Sequence, residues 1–128
     1  MSNRRRPTRG NPYRTEFLVS VAWHTRRARW FRREAGLQRP LRCAACGRAA
    51  TPAELELHHR TYAGVLYEDG VWRAFERHED LTPLHPYCHE LLHRLLDRDT
   101  ILARHRDRKA ASDYALIRLH TALTRETP

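Results

Sequence analysis

The chain of 128 residues has no sustained apolar run. Phe17 to Trp23 is its nearest approach, and that stretch is too short and too interrupted for a membrane span or the core of an export signal. Action inside the cell, in the cytoplasm and away from membranes, is the expectation. Cysteine is scarce and odd in number: there are three, so a disulfide framework would leave one thiol over. Lysine is almost missing. Lys109 stands alone, so nearly all of the 24 basic residues carry guanidinium, and the formal charge is still +9. Arginine presents a planar fork that suits phosphate oxygens and keeps its charge. An excess of nine therefore points to a polyanionic partner, nucleic acid first among them. No internal repeat is visible, and the length suits one small domain with a modest core.

What is present concentrates in two places. Cys43-Ala44-Ala45-Cys46-Gly47 has the spacing and trailing glycine of a zinc knuckle, and His85-Pro86-Tyr87-Cys88 repeats the two-residue gap with histidine leading. Together they offer three thiolates and one imidazole, a closed tetrahedral shell for structural Zn²⁺. The alternative is three ordinary buried cysteines, although all three fall inside the two matching pairs. In a core this small, such a zinc would contribute on the order of 10 kcal/mol to folding. Reduced, metal-bound cysteines again fit the cytoplasm.

The second concentration is histidine. His58 and His59 are adjacent, and His89 and His93 stand four apart, which on a helix puts both on one face within reach of one ion. Read as a strand, the adjacent pair points its rings to opposite sides. One ring can then bind metal while the other serves proton transfer, the equipment of a metal-dependent hydrolase. His24, His78, His105 and His120 read instead as surface or packing residues.

Along the chain, residues 1–13 read as a flexible basic arm, with one domain over 14–128. A helix is predicted over about 15–35, with Gly36 as its stop. Arg26, Arg29 and Arg33 form a stripe on it, joined by Arg27 and Arg32, which serves equally as a solvated face or a phosphate-contacting one. Thr51-Pro52-Ala53-Glu54 reads as a turn into a half-buried strand from Leu55 to Thr61. Asp69-Gly70 is a two-residue hairpin signal. Leu81 to Leu84 reads as a short strand that Pro83 confines to an edge. A helix over about 87–97 follows, then two helical segments over 100–109 and 112–125, with Asp99 and Ser112 as caps. Trp72 and Phe75 fit core packing of the long connection, or a stack on a base.

Over about residues 42–96, this order of strand, long loop, strand and helix resembles the ββα-metal fold of the HNH endonuclease family. Cys43-x2-Cys46, Leu57-His58-His59-x-Thr61-Tyr62, Glu79-Asp80-Leu81 and Leu84-His85-x2-Cys88-His89-x3-His93 carry the resemblance. Ser20-Val21-Ala22-Trp23 with its arginines also looks like the helix that precedes this knuckle. The implied class is α+β: an HNH core with a structural zinc site, flanked by an N-terminal Arg-rich helix and C-terminal helices. By position, the resemblance makes His59 the general base and His58, His89 and His93 the ligands of one catalytic divalent ion. Asp80 takes the loop-positioning slot, where the family commonly has Asn. His85 stands where four-cysteine members have Cys.

The implied activity is DNA hydrolysis leaving 5′-phosphate and 3′-hydroxyl ends, with an arginine the sequence does not single out helping to neutralise the phosphorus. RNA stays open as a target. Three imidazoles favour Zn²⁺, Ni²⁺ or Mn²⁺ over Mg²⁺. Arg26, Arg27, Arg29, Arg33 and Arg60 are the expected nucleic-acid contacts. A protein partner supplying target specificity fits the small size, and the competing reading is a zinc-stabilised binding module without catalysis.

Overall fold

A computed structural model describes residues 16–98 and 107–125. The chain is α+β, with three helices and two small antiparallel sheets among these residues. The arm expected over residues 1–13, and most of the helix expected over 100–109, lie outside them. No helix among the described residues is long and apolar enough to cross a membrane.

Helix α1 runs over Val21–Gly36. Ser20 caps it, its Oγ accepting from the Trp23 N–H at 3.2 Å, which satisfies an otherwise orphaned donor. Trp23, Arg26, Trp30 and Phe31 are its buried residues, spaced to share one face. The helix passes through Gly36 and is closed by Leu37, so glycine is its last residue and not its stop.

A 3₁₀ turn at Pro52–Glu54 leads into β1, Glu56–His59. Glu54 reaches back to accept from the Thr51 N–H at 2.8 Å. Strand β1 departs from the half-buried alternation expected of it, because Leu57, His58 and His59 are all buried. Both of its faces are covered.

The expected hairpin is present as β2, Val65–Glu68, and β3, Val71–Ala74. Asp69 and Gly70 both hold positive φ, 51° and 76°, as a turn matching strand twist requires. A second 3₁₀ turn, His78–Asp80, then opens β4, Leu81–Leu84. Strand β4 pairs antiparallel with β1, setting His58 opposite Thr82 and His59 opposite Leu81. Pro83 is tolerated on this edge, and its carbonyl accepts from the Ala44 N–H at 2.8 Å, drawing the 43–47 loop onto the sheet.

Helix α2 covers Pro86–Arg98, with proline in the first position where a missing N–H costs least. Helix α3, Arg108–Thr124, packs against it. Asp107 caps α3 by accepting from the Ala110 N–H at 2.8 Å. Ser112, expected to be a cap, lies inside the helix and is buried. The core gathers Phe17, Trp23 and Trp30 from one side, Leu57, Leu81 and Leu84 from the sheet, and Leu92, Ala111 and Ala115 from the other.

Two glycines separate by surroundings. A Cβ on Gly64 would stand 2.5 Å from the Glu76 nitrogen and the Phe75 carbonyl carbon, whereas one on Gly36 would meet nothing within 4 Å. Gly64→Ala should therefore cost about 1–3 kcal/mol through forced backbone movement. Gly36→Ala should be neutral or stabilise by up to about 1 kcal/mol. Denaturant midpoints of the two variants check both signs.

Candidate functional site

The knuckle loop is set by its own backbone. The Gly47 N–H donates to the Cys43 carbonyl at 2.9 Å, Gly47 takes φ 78°, and the Cys43 N–H donates to the Arg48 carbonyl at 3.0 Å. His85, just before α2, and Cys88, in its first turn, meet it. The four ligand atoms of Cys43, Cys46, His85 and Cys88 lie within 4.8 Å of one another, and this Cys3His group is a candidate structural zinc site. Cys46 Sγ is 3.4 Å from His85 Nδ1.

The electrostatics of the sulfurs fit a cation. Burial pushes the Cys43 thiol up, but backbone N–H groups of Cys46, His85 and Ala45 outweigh it and bring it down to about 7. Burial raises Cys88 to about 12, and crowding by the Cys43 and Cys46 sulfurs adds to the rise. A cation among the sulfurs would relieve the crowding that raises Cys88.

On the sheet face turned toward α2 lies a second convergence. His58 Nδ1 is 3.3 Å from His89 Nε2, and His93 Nε2 is 3.1 Å from that same atom. Ligands on one ion at roughly 2.0–2.1 Å would stand about 3.0–3.4 Å apart, so this spacing fits a shared metal. Two of the outer nitrogens are also held. His89 Nδ1 lies 2.8 Å from Glu56 Oε1, and a carboxylate can only accept, so the ring turns its lone pair on Nε2 toward the cluster. His58 Nε2 lies 3.2 Å from Ser112 Oγ on α3. Burial, then the neighbouring His93 and His89, drive the His58 pKa down to about 2, which keeps the ring neutral and able to ligate.

His59 faces the other way. Its ring is 4.8 Å from the Trp23 ring and 5.5 Å from that of Tyr62, the latter stacked at 26°. Its Nε2 is 2.6 Å from Glu76 Oε2. A cleft of about 750 Å³ is lined by His58, His59, His89 and His93 together with Trp23, Tyr62, Arg27 and Arg108.

Asp80 does not join either cluster of potential ligands. It ties the strand pair to α3: its carbonyl accepts from the Arg60 N–H at 2.9 Å, and its carboxylate meets Lys109 at 3.0 Å and Arg77 at 3.2 Å. Burial alone would raise its pKa, but the bonds from Lys109 and Arg77 prevail and hold it below the ordinary carboxylate value.

The five arginines expected on nucleic acid divide. Arg26 is buried, its Nε donating to the Glu76 carbonyl at 3.0 Å. Arg27 donates to the Pro52 and Leu55 carbonyls at 2.9 and 2.8 Å, while still lining the cleft. Arg60 grips both oxygens of Asp113 at 2.7 and 2.6 Å. Arg29 and Arg33 remain exposed or half-exposed and, with Arg26, Arg32 and His78, line a second hollow of about 370 Å³. Comparison with protein-family models, with curated proteins and with solved structures finds no match for this chain.

Three residues at the centre were not singled out by sequence: Glu76 on His59, Glu56 on His89, and Arg108. The Arg108 guanidinium donates to the His59 carbonyl and the Tyr62 hydroxyl, both at 3.0 Å. Nothing in local spacing marks these partners. Of the other histidines, His78 stacks on Trp30 at 4.9 Å and pairs with Glu34 at 2.6 Å, and His120 bonds the Ala45 carbonyl at 2.9 Å. Trp72 packs on Phe17 and Tyr67, and Phe75 is exposed.

Cys43→Ser should lose bound zinc and melt earlier, because the cluster forfeits its best-ionised thiol. Metal analysis of the purified variant beside the wild type checks this, and unchanged zinc content would exclude a Cys3His site.

Proposed function

We propose that this chain is a metal-dependent endonuclease of the HNH type acting on DNA, with β1, β4 and α2 forming its ββα-metal core. The observation that carries the reading is the convergence of His58 Nδ1, His89 Nε2 and His93 Nε2 in one cleft with His59. Three imidazoles, those of His89 and His58 with their outer nitrogens held by Glu56 and Ser112, suit Zn²⁺, Ni²⁺ or Mn²⁺ better than Mg²⁺. An ion bound there would supply Lewis-acid stabilisation of charge developing on a phosphodiester.

The chain's own residues account for the rest. His59, on the opposite side of β1 from the ligand set yet open to the same cleft, takes the proton of the attacking water. The bond from phosphorus to the 3′ oxygen breaks and that oxygen takes a proton from solvent, leaving 5′-phosphate and 3′-hydroxyl ends. Arg108 is the arginine placed to meet negative charge at the phosphorus, since it lines the cleft and is held over the Tyr62 ring at 4.3 Å. Asp80 and Arg60 keep β1 registered against the 3₁₀ turn and α3. Cleavage of supercoiled plasmid, after removal of loosely held metal and with Mg²⁺, Mn²⁺, Ni²⁺ and Zn²⁺ compared, is the direct test. Wild type should nick or linearise while His59→Ala folds, binds DNA and cuts at least about 100-fold more slowly. Silence of the wild type with every ion would remove the nuclease reading.

One observation favours the second reading, a nucleic-acid-binding module without catalysis: His59 is only 3% exposed, as a packing residue would be. Both readings share a polyanion surface. Arg29, Arg32 and Arg33 have no carboxylate in ion-pair range among the described residues, and with Arg26 they crowd like charges around one hollow. Bound phosphates relieve such crowding. Arg29→Glu with Arg33→Glu should weaken duplex binding at all sequences alike, and should flatten the slope of log affinity against log salt by about 2. An unchanged slope in filter binding would place the DNA elsewhere.

A further inference from the structure

Glu76 is a costly residue for the fold to bury. Its side chain is fully enclosed, one carboxylate oxygen lies 2.6 Å from His59 Nε2, and the other, Oε1, is buried without a hydrogen-bond partner among the described residues. A packing position would accept an apolar side chain at lower cost. The backbone nevertheless goes to some length to put this carboxylate here. Arg26 crosses from α1 to bond the Glu76 carbonyl at 3.0 Å, placing a buried cation beside the acid. On the opposite flank Gly64 approaches so closely that no side chain fits, and its carbonyl accepts from the Phe75 N–H at 2.8 Å.

The chemistry of the pair is directional. An ionised carboxylate accepts and cannot donate, so the hydrogen between Glu76 and His59 belongs to Nε2. In the neutral ring the lone pair then resides on Nδ1. Trp23 and Tyr62 both pack against the ring, at 4.8 and 5.5 Å, and restrict its plane. We propose that Glu76 is a positioning residue for His59: it fixes the orientation and tautomer of the imidazole so that Nδ1 is the proton acceptor. Glu76 thus does for His59 what Glu56 does for the metal-side His89, a carboxylate selecting which nitrogen faces the work. The inference rests on the nuclease reading and adds to it a buried acid that no local motif marks.

The test uses the zinc-loaded full chain, with Glu76→Gln made alone and together with His59→Ala. Glutamine keeps the shape, but its amide can donate as well as accept, so the tautomer is no longer dictated. Long-range proton–nitrogen correlation spectra of uniformly ¹⁵N-labelled protein should show His59 protonated on Nε2 in the wild type, with that preference lost in Glu76→Gln. In plasmid cleavage Glu76→Gln should lower kcat by about 10²–10⁴-fold with KM nearly unchanged. It should add nothing to His59→Ala, because the two residues act as one unit. A merely structural Glu76 would instead shift stability in both backgrounds and leave the tautomer alone. A wild-type His59 carrying its proton on Nδ1 overturns the proposal even if the variant fails to fold, and so does Glu76→Gln cutting at the wild-type rate. A wild type inert with every ion fails the nuclease reading instead. The two failures are told apart because the nitrogen spectrum still reports whether Glu76 holds the ring.

Discussion

Two adjacent imidazoles on one strand cannot face the same side of it, and most of this structure follows from that constraint. His58 and His59 are both buried, so each face of β1 needs its own cover. On one side α2 brings His89 and His93, and α3 brings Ser112, all directed at the His58 ring. On the other, α1 supplies Trp23, and the segment after β3 supplies Glu76. A strand of four residues thereby separates a nest of potential ligand nitrogens from an acid-linked imidazole, while both open on one cleft. A shift of one residue in the β1–β4 register would exchange the two rings and lose both sets of partners.

The arginine excess has two uses that composition cannot tell apart. Some of the guanidinium serves inside the fold. Arg26, Arg27 and Arg60 each bond a backbone carbonyl far along the chain, and Arg60 also holds a bidentate pair with Asp113. Such ties suit a small domain, because one rigid fork can satisfy several acceptors that a modest apolar core leaves near the surface. Among the described residues, the arginines without carboxylate partners, such as Arg29, Arg32 and Arg33 around one hollow and Arg108 in the cleft, remain as an argument for a polyanion. A net charge therefore overstates how many cations face a partner.

The same distinction decides what could be read from sequence. Features written in short spacings were legible: the two Cys/His pairs, the His pair on a strand, the Asp69-Gly70 turn, the edge strand with Pro83, and the helix carrying His89 and His93. Features made by distant residues were not. Glu76 is 17 positions from His59, and Ser112 is 54 from His58, so nothing local announces either pairing. Ser112 misled because serine ahead of an apolar stretch resembles a cap, whereas Asp107 has the capping geometry and Ser112 sits one turn inside. Arg26 misled in the same way. A charge stripe on a helix looks solvated until an element elsewhere in the chain turns out to cover it.

The two clusters also depend on each other through α2. His85 directly precedes it and Cys88 lies in its first turn, with His89 and His93 following, so whatever fixes the first pair aims the second. The sulfurs pull apart electrostatically: against burial, backbone N–H groups bring the Cys43 thiol down to about 7, while burial and the neighbouring sulfurs push Cys88 up to about 12. An ion there would remove the conflict and lock the first turn of the helix to the knuckle loop, which is itself tied to β4 through Ala44 and Pro83. The helix axis, and with it the approach of His89 and His93 to His58, would then rest on that candidate site. Weakening of the Cys3His group should thus reach the histidine cluster even though no thiol touches it.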